Sequence, residues 1–219
     1  MFRSVKVVGL GRVGSAVAGR LGEKGLLALP GTPDLVLLCV PDAAIAEAAR
    51  ATPPGPWIAH VSGATPLGAL DPHASRFGMH PLQTFTRARG PEQLDGAWAA
   101  VTGETDDALA RARWLAAELG LRPFQLADDR RVLYHAGAAI ASNYLVTLYR
   151  SAARALELAG APPDALLPLM RRTIDNGFEL TGPIARGDWT TVEAHLEAIR
   201  RFAPDLEPMY RALAEATAR

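Results

Sequence analysis

The chain has 219 residues, enough for one large domain or two small ones, and its 49% apolar and 6% aromatic content suits a globular protein with an aliphatic core. Its 23 basic residues balance 23 acidic ones, so no global field favours nucleic acid or an anionic membrane, and no run approaches the roughly 18 apolar residues of a membrane span. One cysteine, Cys39, excludes an intrachain disulfide, and with no signal peptide visible the natural reading is a cytoplasmic enzyme.

The first 25 residues read as strand, glycine turn and helix. A β-branched run, Ser4 to Val8, leads into Gly9-Leu10-Gly11-Arg12-Val13-Gly14, and a helical stretch runs from Arg12 to Lys24. In a phosphate-binding turn of this kind the first glycine makes the sharp turn and the second lets the backbone approach a diphosphate. The third allows close helix-on-strand packing. The helix start then offers free N–H groups and partial positive charge to the anion. A bare αβ turn is the plainer alternative.

The acidic residue expected about 20 positions further on has no good candidate. Leu26 to Leu29 begins what would be a second parallel strand, but Pro30 to Pro33 reach only about 14 Å when extended, too little to return to the bottom of a neighbouring strand. The second strand is therefore expected to be missing or vestigial. Asp42, after Val40-Pro41, takes the acidic role only if Asp34 to Val40 occupies the second-strand place.

Short apolar runs continue at Asp34 to Val40, Trp57 to Val61, Arg76 to His80, Ala97 to Thr102 and Arg122 to Ala127. Helices fall at Ala43 to Ala51 and Asp106 to Leu119, the latter with Thr105 as N-cap. This alternation predicts a truncated, doubly wound parallel α/β sheet over residues 1–127. Cys39 falls mid-strand and reads as a small core residue. From Asp128 the strand signal stops, and residues 128–219 read as an all-helical second domain. A helix over Asp128 to Ala159, about 48 Å if continuous, is followed by one from Pro162 to about Leu180. Thr190 to Glu193 has the form of a capping box, and Pro204 separates the last two helices.

Ligands of open α/β sheets bind beyond the carboxyl ends of the strands. Val40-Pro41-Asp42, His60-Val61-Ser62-Gly63 and Gly78 to Phe85, with His80 and Gln83, all fall there. A histidine on that rim suits the proton transfer that accompanies hydride transfer, or it merely hydrogen-bonds a loop. With only Lys6 and Lys24 among the basic residues, and neither placed to face a substrate, lysine chemistry is excluded. At 100° per residue His135, Ala138, Ala139 and Ser142 share one helix face, with Asn143 about 80° away, a pattern that plain helix packing also explains. Arg186, in Thr181 to Asp188, is placed to clamp a carboxylate, or else its loop is a helix connection capped by Asp188. His73 and His195 read as surface residues. Five histidines without paired metal-ligand spacing argue against zinc.

Six segments together resemble a bacterial family of NADP-dependent oxidoreductase-like proteins with a Rossmann-like N-terminal domain and a helical C-terminal domain of unknown function. They are Gly9 to Gly14, Asp34 to Asp42, His60 to Gly63, Gly78 to Phe85, Tyr134 to Val146 and Leu180 to Asp188. The family is similar to 6-phosphogluconate and 3-hydroxyisobutyrate dehydrogenases and ketopantoate reductase, whose helical domain often builds a dimer and closes the active site. Two departures stand out. Those relatives use a lysine on the first long helix of the second domain, where this chain offers His135, Ser142 and Asn143, and the ribose-reading strand is clipped.

The resemblance implies a dimeric reductase passing hydride from NADPH, or NADH, to a small carbonyl or imine in a cleft between the domains. Gly9, Leu10, Gly11, Arg12, Val13 and Gly14 would hold the diphosphate. Val40, Pro41, Asp42, His60, Ser62 and Gly63 would flank the nicotinamide, and His80 or His135 would supply the proton. Ser142, Asn143, Gln83 and Arg186 would orient the substrate. Gly78-x-His80-Pro81 also resembles the His-Pro segment of prephenate dehydrogenases. A nucleotide sensor without redox activity is the non-enzymatic alternative, favoured by the clipped second strand.

Overall fold

The computed structural model describes residues 1–28 and 31–219, and the chain divides into two compact units, Met1–Ala141 and Ser142–Arg219. The division falls inside the long helical stretch, beyond the boundary drawn at residue 127 from the loss of strand pattern.

The first unit is a six-stranded sheet with spatial order equal to chain order. The strands are β1 (Val5–Val8), β2 (Leu35–Leu38), β3 (Trp57–His60), β4 (Arg76–Leu82), β5 (Trp98–Thr102) and β6 (Arg122–Gln125). Strands β1 to β4 are parallel, β5 runs antiparallel to β4, and β6 is parallel to β5. The expectation of an all-parallel sheet is corrected at that one junction: no helix intervenes between β4 and β5, only a loop and a short 3-10 turn at Pro91–Leu94. A helical crossover is what a parallel neighbour requires.

Helices α1 (Arg12–Glu23) and α3 (Asp106–Glu118) cover one face, and α2 (Ile45–Ala51) covers part of the other. Period-two alternation sets the division. Leu35, Leu37, Phe77, Met79, Ala99 and Val101 point into the core under α1 and α3, whereas Val36, Leu38 and Ile58 meet Ile45 and Ala49 of α2. The sheet is doubly wound, and the four-residue strand β2 is fully buried because both of its faces are covered.

The second strand of the usual dinucleotide fold survives as one parallel bridge, Leu27 to Val5. The Ala28 N–H donates to Val5 O (2.9 Å) and the Val5 N–H to Leu26 O (2.8 Å). Leu29, the last residue of the expected strand, and Pro30, the first of the linker, lie outside the described residues. Because Leu27 occupies one side of β1 and β2 the other, Asp34 to Val40 does not take the second-strand place. Asp42 is thereby corrected: it opens a 3-10 turn, Asp42–Ala44, instead of standing where the ribose-reading acid belongs.

The helical stretch after β6 begins with a 3-10 turn at Asp128–Arg130. It continues as α4 (Arg131–Ala139), a π-helical turn at Ile140–Tyr144, and α5 (Leu145–Leu158). The second unit contains α5, α6 (Leu166–Asp175), α7 (Trp189–Phe202) and α8 (Glu207–Thr217). Helix α6 stops five residues before the expected Leu180: Asn176 closes it and Phe178 takes a φ of 63°, a left-handed conformation that a helix cannot continue through. The expected capping box at Thr190 is also corrected. The N-cap is Asp188, whose carboxylate accepts from the Thr191 N–H (3.1 Å) and Oγ1 (2.7 Å).

Thr105 caps α3 as expected, its hydroxyl accepting from the Ala108 N–H at 3.1 Å. Replacing Thr105→Ala leaves one N–H of the first turn unpaired. It should cost about 1 kcal/mol, read as a lower urea midpoint by tryptophan fluorescence.

Candidate functional site

Register fixes the geometry of the rim. Val8 pairs with Leu38, Leu38 with His60 and His60 with Gly78, so one line crosses the sheet at the carboxyl ends of β1 to β4. Gly9, Cys39 and Val61, one residue beyond that line, and His80, two residues beyond it, share one edge. At its β1 end the chain switches from Leu27 on one side to β2 on the other, the crevice where open α/β sheets take ligands.

Packing inside the protein requires two of the three motif glycines. Gly9 has a φ of +92°, and a Cβ there would stand 2.6 Å from the Cys39 carbonyl oxygen; one on Gly14 would overlap the Gly9 carbonyl oxygen. Gly11 has an ordinary φ of −72°, and a Cβ would meet nothing within 4 Å. Neither strain nor packing demands glycine at that position, so what it leaves open is approach from outside. No side chain caps α1, and its first turn holds no acid, so its N–H groups keep their attraction for an anion. Leu10 and Arg12 are exposed, Val13 packs on the core, and the Val40 side chain lies against Gly9. These residues fit a diphosphate.

On the sheet face opposite Phe77 and Met79, the period-two rule groups His60, Gly78, His80, Thr102 and Phe124. Helix α4 brings Arg131, Tyr134 and His135 to them, positions i, i+3 and i+4 of one helical face. Arg131 is fully buried. It donates from Nη1 to Thr102 Oγ1 (2.8 Å) and from Nη2 to the Ser62 carbonyl, and its Nε has no acceptor. No carboxylate forms an ion pair with it among the described residues. A Cβ on Gly78 would stand 2.9 Å from Arg131 Nη1 and 3.3 Å from His60 Cε1, so only glycine admits both side chains.

His60 was expected to flank a nicotinamide. It is fully buried instead, and neither ring nitrogen has a partner. Burial, then the charge of Arg131, pushes its pKa down to about 3. His60 supports the site from beneath. His80 sits above it with Nδ1 2.8 Å from the Tyr134 hydroxyl, and its ring meets that of the exposed His135 edge-on at 6.0 Å. Burial first, then His135 and Arg131, holds His80 down to about 4, against a smaller upward pull from Asp42. The free edge of His80 lies over Gly63, where a Cβ would come 3.0 Å from Nε2 and 2.7 Å from His135 Cδ2.

The remaining candidates are placed as follows. Ser62 is corrected as a cofactor contact, because its hydroxyl is held within its own turn by Thr65 Oγ1 (2.9 Å) and the Thr65 N–H (3.0 Å). Gln83 is exposed and accepts from the Thr84 N–H. The buried Gln93, which sequence reasoning missed, ties the loop after β4: it accepts from the Thr86 N–H (2.8 Å) and donates to the Arg89 and Gly90 carbonyls. Cys39 lies just past β2, not mid-strand; burial pushes its thiol up to about 12, so it packs and does not react. His73, expected at the surface, is buried with Nε2 2.9 Å from the Ala49 carbonyl.

Within the second unit, Ser142 and Asn143 belong to the π-helical turn. The constant 100° step that aligned Ser142 with His135 assumes α geometry and does not carry through that turn. Arg186 is exposed and donates to the Thr181 carbonyl of its own loop, which is the structural reading of that residue. Arg131 and Tyr134 complete the cluster around His80 and are the members that the sequence reading missed. Their i, i+3, i+4 relation to His135 is the signal that was available.

Residues 97–217, more than half of the chain, match the family model described as Domain of unknown function (DUF2520), and the chain belongs to that family. No curated protein matches it. Among solved structures it is similar to a Bacteroides fragilis protein provisionally described as an NADP oxidoreductase, at 20% identity over 99% of this chain and 98% of that one, with a TM-score of 0.82. Protein TM1727 of Thermotoga maritima matches at 24% identity over 98% and 100%, TM-score 0.74. A reductive aminase of Aspergillus terreus in complex with NADPH matches at 18% identity over 100% and 94%, TM-score 0.67. At these identities the likeness establishes the fold, a Rossmann-like α/β domain followed by a helical domain.

Gly11 and Gly14 should separate on substitution. Gly14→Ala forces apart the turn and α1 and should lower the melting temperature markedly, whereas Gly11→Ala should leave it nearly unchanged and weaken NADPH binding, measured by circular dichroism and nicotinamide fluorescence. The two depressed histidines also set a pH dependence. Both are neutral when folded but protonate near 6.5 when unfolded, so the unfolded chain binds more protons below that pH. Stability should be full above pH 6.5 and fall as pH drops toward 4, by up to about 1.4 kcal/mol per pH unit per histidine. Urea titrations across that range check the sign, and His80→Asn should flatten the slope.

Proposed function

As a member of that family, whose name assigns no chemistry, this chain is, we propose, an NAD(P)-dependent oxidoreductase that reduces a small carbonyl or imine compound. The observation that carries this reading is the shared edge of the sheet: an uncapped helix start behind an open Gly11 at the β1 end, and a neutral histidine at the β4 end. Three strand spacings separate the ends, about 14 Å. That places an anchored diphosphate and a proton donor at the two ends of one extended ligand. The cofactor supplies hydride; Gly9 to Gly14 bind its diphosphate, with Val40 and Gly63 bordering the path between.

His80 is the proton donor of this reading, and His135 lines the same edge. A buried positive charge beneath them favours an oxygen that gains negative charge during reduction over a cationic nitrogen. Gln83, exposed beyond β4 on the same unit, is placed to orient the substrate. Similar folds bind NADPH in the Aspergillus reductive aminase and NAD in a Cupriavidus necator protein, which supports NADP with NAD as an alternative.

A second reading is a nucleotide sensor without redox activity. The bridge at Leu27 favours it, since among the described residues it is the one β-pairing on that side of β1. We also infer a homodimer through the helical unit. Leu145, Val146, Leu169, Phe178 and Leu180 are exposed there, while few large apolar side chains are buried.

NADPH added to the protein should show a blue-shifted, enhanced nicotinamide emission; no binding at millimolar cofactor defeats the reductase reading, and stabilisation by mononucleotides alone points to the sensor. Arg12→Ala, removing the exposed guanidinium beside the turn, should weaken NADPH roughly tenfold, the size of one charge-assisted hydrogen bond. Light scattering should give twice the chain mass, and a monomer at micromolar concentration refutes the dimer.

A further inference from the structure

Tyr134 and Arg131 flank His80 without themselves lying on the open edge of the site. Tyr134 is clamped between two rings, edge-on to His80 at 5.5 Å and to Phe124 at 5.9 Å, with its hydroxyl 2.8 Å from His80 Nδ1. A hydrogen bond between a phenol and a neutral imidazole can run either way. If Nδ1–H donated, the half-buried Tyr134 O–H would have no protein acceptor among the described residues and would have to reach solvent past the two rings that clamp it. If the O–H donates, both groups are satisfied within the protein, and the oxygen lies in the field of Arg131.

A neutral imidazole carries one proton, so an accepting Nδ1 places that proton on Nε2. Nε2 is the atom over Gly63, on the side of the ring facing His135. A second proton on the ring is opposed first by burial, then by the charges of His135 and Arg131 of α4, while Asp42, after β2, pulls the other way and the neutral His60 of β3 adds no charge.

We propose that Tyr134 is a positioning residue that fixes His80 as the neutral Nε2–H tautomer, so that the ring presents a hydrogen-bond donor to the oxygen of a carbonyl substrate. The tautomer stands on the geometry alone; its use on a carbonyl rests on the oxidoreductase reading. As hydride from the dihydronicotinamide adds to the carbonyl carbon, the C=O π pair moves onto oxygen. The Nε2 proton passes to that oxygen and the Tyr134 proton passes to Nδ1. The imidazole stays neutral throughout, and the phenolate is left near Arg131 until water reprotonates it. A cationic iminium gains no such stabilisation and is repelled by Arg131.

The test uses the full-length chain, 15N-labelled at histidine, without cofactor. Long-range proton–nitrogen spectra read each ring's tautomer directly, and His80 is assigned by its loss in His80→Asn. His80 should show the neutral Nε2–H pattern from about pH 6 to 8. In Tyr134→Phe, which keeps the ring packing and removes only the hydroxyl, the two nitrogens should move toward the averaged shifts of exchanging tautomers. An Nδ1–H pattern in the unsubstituted protein, an imidazolium at about pH 6, or an unchanged pattern in the phenylalanine variant overturns the proposal. Should that variant fail to fold, the tautomer of the unsubstituted protein still decides. Because no cofactor takes part, failure here is distinct from failure to bind NADPH, which would sink the oxidoreductase reading and leave the tautomer standing.

Discussion

A buried guanidinium that forms no ion pair with a carboxylate among the described residues holds one face of the sheet together. Arg131 joins three separate pieces of chain: the loop after β3 through the Ser62 carbonyl, the end of β5 through Thr102, and the first turn of α4, on which it sits. Taking a cation out of water costs several kcal/mol even after relaxation, and two neutral acceptors return only part of it. A structure that needed only to fasten α4 to the sheet would do so more cheaply with apolar side chains. What the charge adds is a field. It acts on His60, His80 and Tyr134 together, adding to the burial that keeps both imidazoles neutral and opposing the upward push of burial on the Tyr134 hydroxyl, which still stands at about 12. Two glycines make this possible. Gly78 admits the guanidinium and His60 side by side, and Gly63 leaves the free edge of His80 uncovered.

At the other end of the edge the same economy appears in backbone form. Gly9 and Gly14 bring the turn, α1 and Cys39 into contact that no Cβ would permit, and that contact fixes where the first N–H groups of α1 point. Gly11 takes no part in the packing. A glycine that costs unfolded-state entropy and returns no contact within the protein is explained by something that approaches it from outside. The turn and the histidine edge are therefore alike in charge: partial positive dipoles at one end, and a neutral donor over a buried cation at the other.

Much of this was legible in the sequence because it depends on short-range rules. The strand–glycine–helix opening, the Thr105 cap, the apolar runs and the clipped second strand follow from chain reach, side-chain period and hydrogen-bond chemistry, and each strand lies within two residues of its expected bounds. What could not be read depends on contacts distant in sequence. Nothing local distinguishes His60, sealed beneath the sheet face, from His80 two strand positions further along that face, because burial is decided by α4 more than 70 residues later. An arginine at the start of a helix reads as a solvated residue. Arg131 becomes a buried cation only once β3 and β5 supply its acceptors. The antiparallel β5 was hidden for a related reason, since strand direction is set by the connection and not by the strand's own residues.

The clipped sheet edge and the crowded histidine edge belong to one trade. Among the described residues the side of β1 where an adenosine half would lie carries one bridge, at Leu27, which leaves the diphosphate turn and the histidine edge as the places to anchor a dinucleotide. Those are the two places where this chain has fixed its geometry most tightly: a turn with no freedom to add a methyl group at Gly9 or Gly14, and an imidazole held by a phenol on one side and a glycine on the other. Charge, more than shape, then governs what can occupy the space between them. A buried cation that forms no ion pair among the described residues welcomes an oxygen that becomes negative and disfavours a nitrogen that starts positive, a preference built into the sheet before any substrate arrives.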